Sequence, residues 1–375
     1  MLSLAASAVL FAGGDIAPVE PVAEAPAAAC DDFYGFVGAG VIYLSQDDND
    51  QFTHATAGAF AVLGVNKEIV SGLTVNAEVQ GASYGFYDGN DFVRPDNGEQ
   101  GSLTQLNLGY TWCNTAFKVG RFAVPQALSP LAYSGGSYFG LKSRTFEGVM
   151  VANTDVPDTT LWAAYVYNQV NHPNSGWSGF SDLATANAAT STSSTRVTIN
   201  TVAAGFQNTS FADTVITFAA YYGIDSEDYM FAGDVVKKWC DTTISVGGAY
   251  HYVSAADTGY SVGGITLQQD FGSSYIKVGA TYGDMLYDKY TDFTAHYNND
   301  GGGAYTGEAS WAIGAKVGTT ISGYKLWVAG DYQENENWEA TVGVAKTFAG
   351  VDFTVDYRRN SNDVNRVRAK AVYKF

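Results

Sequence analysis

The stretch RVRAKAVYKF, Arg366–Phe375, decides how this chain is to be read. Val367, Ala369, Ala371, Tyr373 and Phe375 fall on one face of a two-residue alternation, and Arg366, Arg368, Lys370 and Lys374 on the other. Period two is the signature of a strand with two chemically different sides. Either a half-buried soluble sheet or a membrane barrel with lipid outside and water inside satisfies it.

The rest of the chain favours the barrel. Of 375 residues, 42 are Gly, 25 Tyr and 21 Phe, while only 8 are Pro, a balance suited to twisted sheet and turns. No internal apolar run approaches the roughly 20 residues of a spanning helix. After Cys30 the sequence repeats segments of about ten alternating residues. Eighteen are expected, from 33–45 through 102–112, 115–124, 145–152 and 306–318 to 351–360 and 364–375. Tight turns at Cys113–Thr115, Cys240–Asp241, Gly272–Ser273 and Ala349–Gly350 alternate with longer links at 88–101, 125–144, 170–195 and 284–305. One rim of short turns and one of long loops is the asymmetry of an outer-membrane barrel, short side periplasmic.

Within single segments the same division recurs. Ala309, Trp311, Ile313, Ala315 and Val317 alternate with Glu308, Ser310, Ala312, Gly314 and Lys316; Val351, Phe353, Val355 and Tyr357 alternate with Asp352, Thr354 and Asp356. An unpartnered carboxylate or ammonium buried in a dry core costs several kcal/mol, so repeated inward charges imply a wet interior. The fold expected is therefore all-β, a transmembrane antiparallel barrel of about 18 strands over 31–375. Residues 1–14 read as a signal peptide lacking its usual basic start, and 15–30 as a Pro/Ala/Glu-rich periplasmic leader.

The central run beginning FKVGRFAVP (Phe117–Pro125) and the segment FEGVMVANTDVPDTTLWAAYV (Phe146–Val166) resemble the Opr-type bacterial outer-membrane porins, close to the major outer membrane proteins of Campylobacter-like bacteria. The resemblance implies an eighteen-stranded porin, homotrimeric, passing ions and small hydrophilic solutes by diffusion. It also implies that the link PQALSPLAYSGGSYFGLKSR, 125–144, folds inward as a constriction loop. That link contains no carboxylate, so Lys142 and Arg144, with Arg121 and Lys118 beside it, are the candidates for the eyelet. A loop lying across the mouth as a lid is the other reading.

Arg358, Arg366, Arg368, Lys370 and Lys374 form a candidate basic ladder, similar to that of the Opr-type channels. Glu308, Asp331, Asp352 and Asp356 share the inner faces, so wall-stiffening salt bridges are an equal alternative. Net charge is −18, and acids collect in expected loops: Asp47, Asp48 and Asp50; Asp88, Asp91, Asp96 and Glu99; Asp225, Glu227 and Asp228; Glu334, Glu336 and Glu339. They would raise local cation concentration at the mouth, and could hold Ca²⁺ or bridge to lipopolysaccharide, although DDND (47–50) lacks a full calcium-loop pattern. Cys30, Cys113 and Cys240 fall at the expected periplasmic rim, where a disulfide is possible but not derivable from spacing.

No cofactor is expected. The four histidines, His54, His172, His251 and His296, have no metal-binding spacing or local Ser/His/Asp arrangement. The acidic balance opposes nucleic-acid binding. The reading is a non-enzymatic porin of the bacterial outer membrane. Its alternatives are a non-conducting structural or adhesive barrel and, more remotely, a barrel lipid hydrolase.

Overall fold

A computed structural model describes residues 32–45, 54–87, 99–125, 128–129, 134, 141–142, 144–171, 195–284, 311–334, 336–361, 363 and 365–375. Eighteen antiparallel strands follow one another: β1 (Phe33–Ser45), β2 (His54–Val70), β3 (Leu73–Tyr87), β4 (Glu99–Trp112), β5 (Thr115–Phe122), β6 (Arg144–Asn153), β7 (Thr159–Asn171), β8 (Thr195–Asn208), β9 (Thr214–Gly223), β10 (Tyr229–Trp239), β11 (Thr242–Val253), β12 (Thr258–Phe271), β13 (Ser274–Gly283), β14 (Trp311–Ile321), β15 (Tyr324–Gln333), β16 (Trp338–Phe348), β17 (Val351–Asn360) and β18 (Asn365–Lys374). Each pairs with its sequence neighbours, and β1 pairs with β18. The ring is closed, so no edge strand is left with unpaired backbone groups.

Closure is made where the two ends of the barrel meet. Gly35 and Phe375 exchange backbone hydrogen bonds, both 3.1 Å. Gly35 has φ +151°, and a Cβ there would overlap the Val62 carbonyl; glycine lets the first strand come this close. Boundaries match expectation within a few residues. β2 extends to Val70, β4 begins at Glu99 instead of 102, and β14 runs Trp311–Ile321, the expected start at 306 lying outside the described residues.

The outer face is an apolar band. Val119, Val149, Val246, Ile265, Val317 and Val328 are all exposed on it. Trp112, Trp239, Phe271 and Phe348 are exposed beside the short-turn rim, and Tyr43, Tyr165, Tyr222, Tyr282 and Tyr332 toward the opposite rim. This is the pair of aromatic girdles that borders a membrane barrel's apolar belt. The short-turn rim is as the sequence suggests, with Cys113 and Cys240 both at φ 52° in their turns and both exposed, free thiols; Cys30 lies outside the described residues. The other rim is mixed: beside long links it has short ones at 224–228, 254–257, 334–337 and 361–364. A hollow of about 830 Å³ also lies on the outer face, floored by Ala163, Ala204 and Ala220 and bounded by Phe117 and Phe231. It faces away from the lumen.

The inner face is divided. Over β5–β12, Phe122, Met150, Trp162, Val166, Ile199, Met230 and Val262 form a buried apolar cluster with Leu128 from the 123–143 link, set among buried polar groups such as Arg144, Thr201, Thr217, Asp234 and His251. This departs from the expectation of inner faces too polar to pack. Val124 and Leu128 of the link pack into this cluster. Over β13–β18 and β1–β4 the inner face carries most of the charge.

Candidate lumen constriction

The described residues of the link between β5 and β6 lie against the inner wall near both of its ends. Leu128 is fully buried in the apolar cluster, and Ser129 Oγ lies 2.7 Å from the Tyr221 hydroxyl on β9. At the other end Leu141 packs against Phe60, Val62, Ala82 and Val372. Lys142 Nζ donates to both Glu78 oxygens on β3, at 2.7 and 2.8 Å. The Lys142 backbone is also gripped: its N–H donates to Gln80 Oε1 (2.7 Å) and its carbonyl accepts from Gln80 Nε2 (2.8 Å). β3 and β9 each stand three strands from β6. Near both ends the link, hereafter the strap, is therefore fastened to the inner wall, at Leu128 and Ser129 and again at Leu141 and Lys142, while most of 130–140 lies outside the described residues.

Glu78 is the centre of the fastening. Besides Lys142, it accepts hydrogen bonds from Thr104 Oγ1 (2.5 Å), Gln105 Nε2 (3.0 Å) and the Tyr34 hydroxyl (3.1 Å). Tyr34 reaches it by lying across Gly64, where any Cβ would overlap the ring. Thr104 and Gln105 both point inward because a bulge interrupts the β3–β4 register after Glu78, adding one residue to one strand. Glu78 and Gln80 were not among the residues singled out from sequence. The alternation Asn76, Glu78, Gln80, Ala82 marks them as inward, and a strap whose one charged side chain is Lys142 needs an acid from the wall.

The four candidate eyelet cations have different places. Lys118 is on the inner face of β5, opposite Met150 and half-buried. Arg144 shares the inner face of β6 with Phe146 and Met150 and is buried. Lys142 is on the strap. Arg121 does not fit the expected eyelet: register places it beyond Phe117 and Val119 on the outer face, opposite Glu147. Its Nε and second terminal nitrogen lie 3.0 and 2.7 Å from Glu147 Oε1, and the other terminal nitrogen donates to the Leu103 carbonyl (2.6 Å). Asn168 donates to the remaining Glu147 oxygen at 3.0 Å. The pair is only 15% and 8% exposed, neutral and well bonded, as an outward charge near lipid must be.

On the far wall, basic ladder and salt-bridged wall turn out to be one arrangement. Arg358 Nε is 3.0 Å from Glu339 Oε1, the side chains 3% and 0% exposed, and Arg368 Nε donates to Asp356 Oδ1 at 2.7 Å. Arg366 lies directly opposite Arg358, and Lys370 opposite Thr354. Lys374 is exposed, 3.5 Å from Asp352. Asp331 is buried opposite Glu339. Glu308 lies outside the described residues. Glu339 is thus not a loop acid, as expected from its neighbours Glu334 and Glu336, but an inward wall residue of β16. The cations extend farther round the wall than the last two strands: Lys277 on β13 faces Lys316 on β14.

Lys316 also lies 5.9 Å above the Trp327 ring, within reach of a cation–π contact. Trp327 lies flat against the wall across Gly343. Gly343→Val is expected to lift the indole off the wall and into the lumen. The check is a red-shifted Trp emission together with a lower current than wild type; an unchanged spectrum would mean that the wall yields instead.

Of the loop acids, Asp47, Asp48, Asp50, Asp88, Asp91 and Asp96 lie outside the described residues. Asp225 accepts from Asn200, and Asp228 from the Ser254 N–H at 2.7 Å. Among the described residues no group of three or more His, Cys, Asp or Glu is placed to hold a metal ion.

No protein-family model and no curated protein matches this chain. Solved structures do. A BenF-like porin from Pseudomonas fluorescens Pf-5 superposes with TM-score 0.68 at 12% identity, and Pseudomonas aeruginosa OpdK with vanillate with TM-score 0.67 at 12%. Acinetobacter baumannii OccAB2 gives TM-score 0.65 at 11%. Each superposition covers 92% of this chain and 98% of the other. At such identities the likeness is one of architecture: this chain has the closed 18-stranded barrel fold of the outer-membrane porins.

Proposed function

We propose that this barrel is an outer-membrane porin through which ions and small hydrophilic solutes diffuse without an enzymatic step. One observation carries the reading: around a closed ring of 18 strands the outer face is apolar between aromatic girdles, while the inner face of β13–β18 is charged. Barrels of 16 to 18 strands are wide enough for an aqueous channel, and the β5–β6 strap, fastened to the inner wall near both ends, narrows it. That inner wall bears Lys277, Lys316, Lys325, Arg358, Arg366, Arg368, Lys370 and Lys374 against Asp331, Glu339, Asp352 and Asp356. This wall of the lumen is therefore basic in a chain of net charge −18, and small anions are the favoured cargo.

A homotrimer, contact with lipopolysaccharide, loop-bound Ca²⁺, an exported start with signal peptide and leader, and kinship with the Campylobacter-type major outer membrane proteins belong to the same proposal. The last rests on the FKVGRFAVP and FEGVMVANTDVPDTTLWAAYV segments alone. The test is planar-bilayer recording of the refolded barrel with a salt gradient. Stepwise ohmic conductance with a reversal potential of anion-selective sign is expected, since a ring of charge sets ion preference at a constriction. Cation-selective sign would transfer control to the acids of the long loops. A verified folded barrel without conductance would favour the plugged, adhesive alternative, for which the nearly complete burial of the Arg358–Glu339 and Arg368–Asp356 pairs is the supporting observation.

A further inference from the structure

We infer that Glu78 is the positioning residue of the constriction strap, holding the Lys142 ammonium against the β3 wall and cancelling its charge beside the solute path. The inference rests on the porin reading above. Glu78 is 1% exposed, and its carboxylate is organised independently of the strap by Tyr34 from β1 and by Thr104 and Gln105 from β4. A carboxylate already fixed by three wall donors presents a ready-made acceptor pair, and Lys142 binds both oxygens.

The labour at this end of the strap is divided. Gln80 holds the Lys142 backbone, and Leu141 supplies an apolar anchor. Neither needs charge, so the strap stays seated when Glu78 is neutralised, while the lysine side chain loses its counter-charge. The long, flexible stem of lysine then lets the ammonium swing into the lumen. Lys142 is thereby a latent eyelet cation whose contribution is switched off by a single acid of the barrel wall.

The experiment compares single-channel recordings of wild type, Glu78→Gln, Lys142→Gln and the double variant in a salt gradient. Wild-type conductance comes first, because its absence defeats the porin reading itself and this inference with it. Given a conducting wild type, Glu78→Gln should raise the anion-to-cation permeability ratio by about two- to fivefold, the scale of one uncompensated charge a few ångströms from the ion path in water. Open-channel noise should rise as the ammonium moves. Lys142→Gln should shift the ratio the opposite way, and the double variant should return it close to wild type. A Glu78 that merely supported the fold would alter stability and leave the ratio unmoved. Superimposable reversal potentials in both single variants overturn the proposal. Should Glu78→Gln fail to fold, Lys142→Gln probes the pair from the strap side, and an unshifted ratio there overturns it equally.

Discussion

Glu339→Gln should lower the unfolding free energy of the refolded barrel by about 3 kcal/mol, because breaking a buried ion pair from one side deprives the remaining charge of its carboxylate in a poorly solvated place. Arg358 and Glu339 are 3% and 0% exposed, so solvent screening offers little relief. Arg366 adds to the cost, since it lies directly opposite Arg358 across β17–β18, and like charges in such a pair repel more strongly when one nearby carboxylate is removed. Urea titration in lipid vesicles, followed by Trp emission, measures the loss. The double variant Glu339→Gln/Arg358→Met should recover most of it, since replacing both members of a buried pair is far milder than breaking it. A single-variant loss under about 1 kcal/mol would mean that this wall is bathed in water and that the pair is held only as a surface bridge is held.

The division between the two faces predicts the second large effect. Ile265 is exposed midway along β12, with Val246 opposite it on β11. Ile265→Arg should cost about 2–4 kcal/mol in a bilayer, the penalty for Arg at the midplane of a barrel's lipid face. In the same urea titration it should yield either a clear fall in midpoint or no insertion at all. A change at Lys325, inward and exposed near the short-turn rim, should stay within about 0.5 kcal/mol. If Ile265→Arg is as mild as Lys325→Gln, the outer face is not in lipid.

Arg121 shows where reading by likeness and reading by alternation part. The VGRF segment resembles a porin motif that introduces the constriction loop, which nominated Arg121 for the eyelet. Yet Phe117, Val119 and Arg121 are spaced by two, and that spacing alone sets the arginine on the outer face, where β5 and β6 pair it with Glu147. Glu339 departs from its expected loop position for a related reason. Clustering with Glu334 and Glu336 suggested a loop, whereas β16 begins at Trp338 and turns Glu339 inward.

By itself the sequence determined the strand count, the all-β barrel architecture and the sidedness of β14, β17 and β18. These properties are local: period two, turn residues and segment length are written within ten consecutive residues. Only the tertiary structure decided which inward charges meet. Arg368 finds Asp356 and Arg358 finds Glu339 through the register of strands that are paired across turns, while Lys142 finds Glu78 across 64 residues of sequence. Register at the bulge after Glu78 and the seating of the strap's two ends on β9 and β3 arise from packing and hydrogen bonding between distant segments. A bulge of one residue exchanges the two faces of a strand, so the chemistry of the lumen is a property of the assembled barrel and not of any single strand.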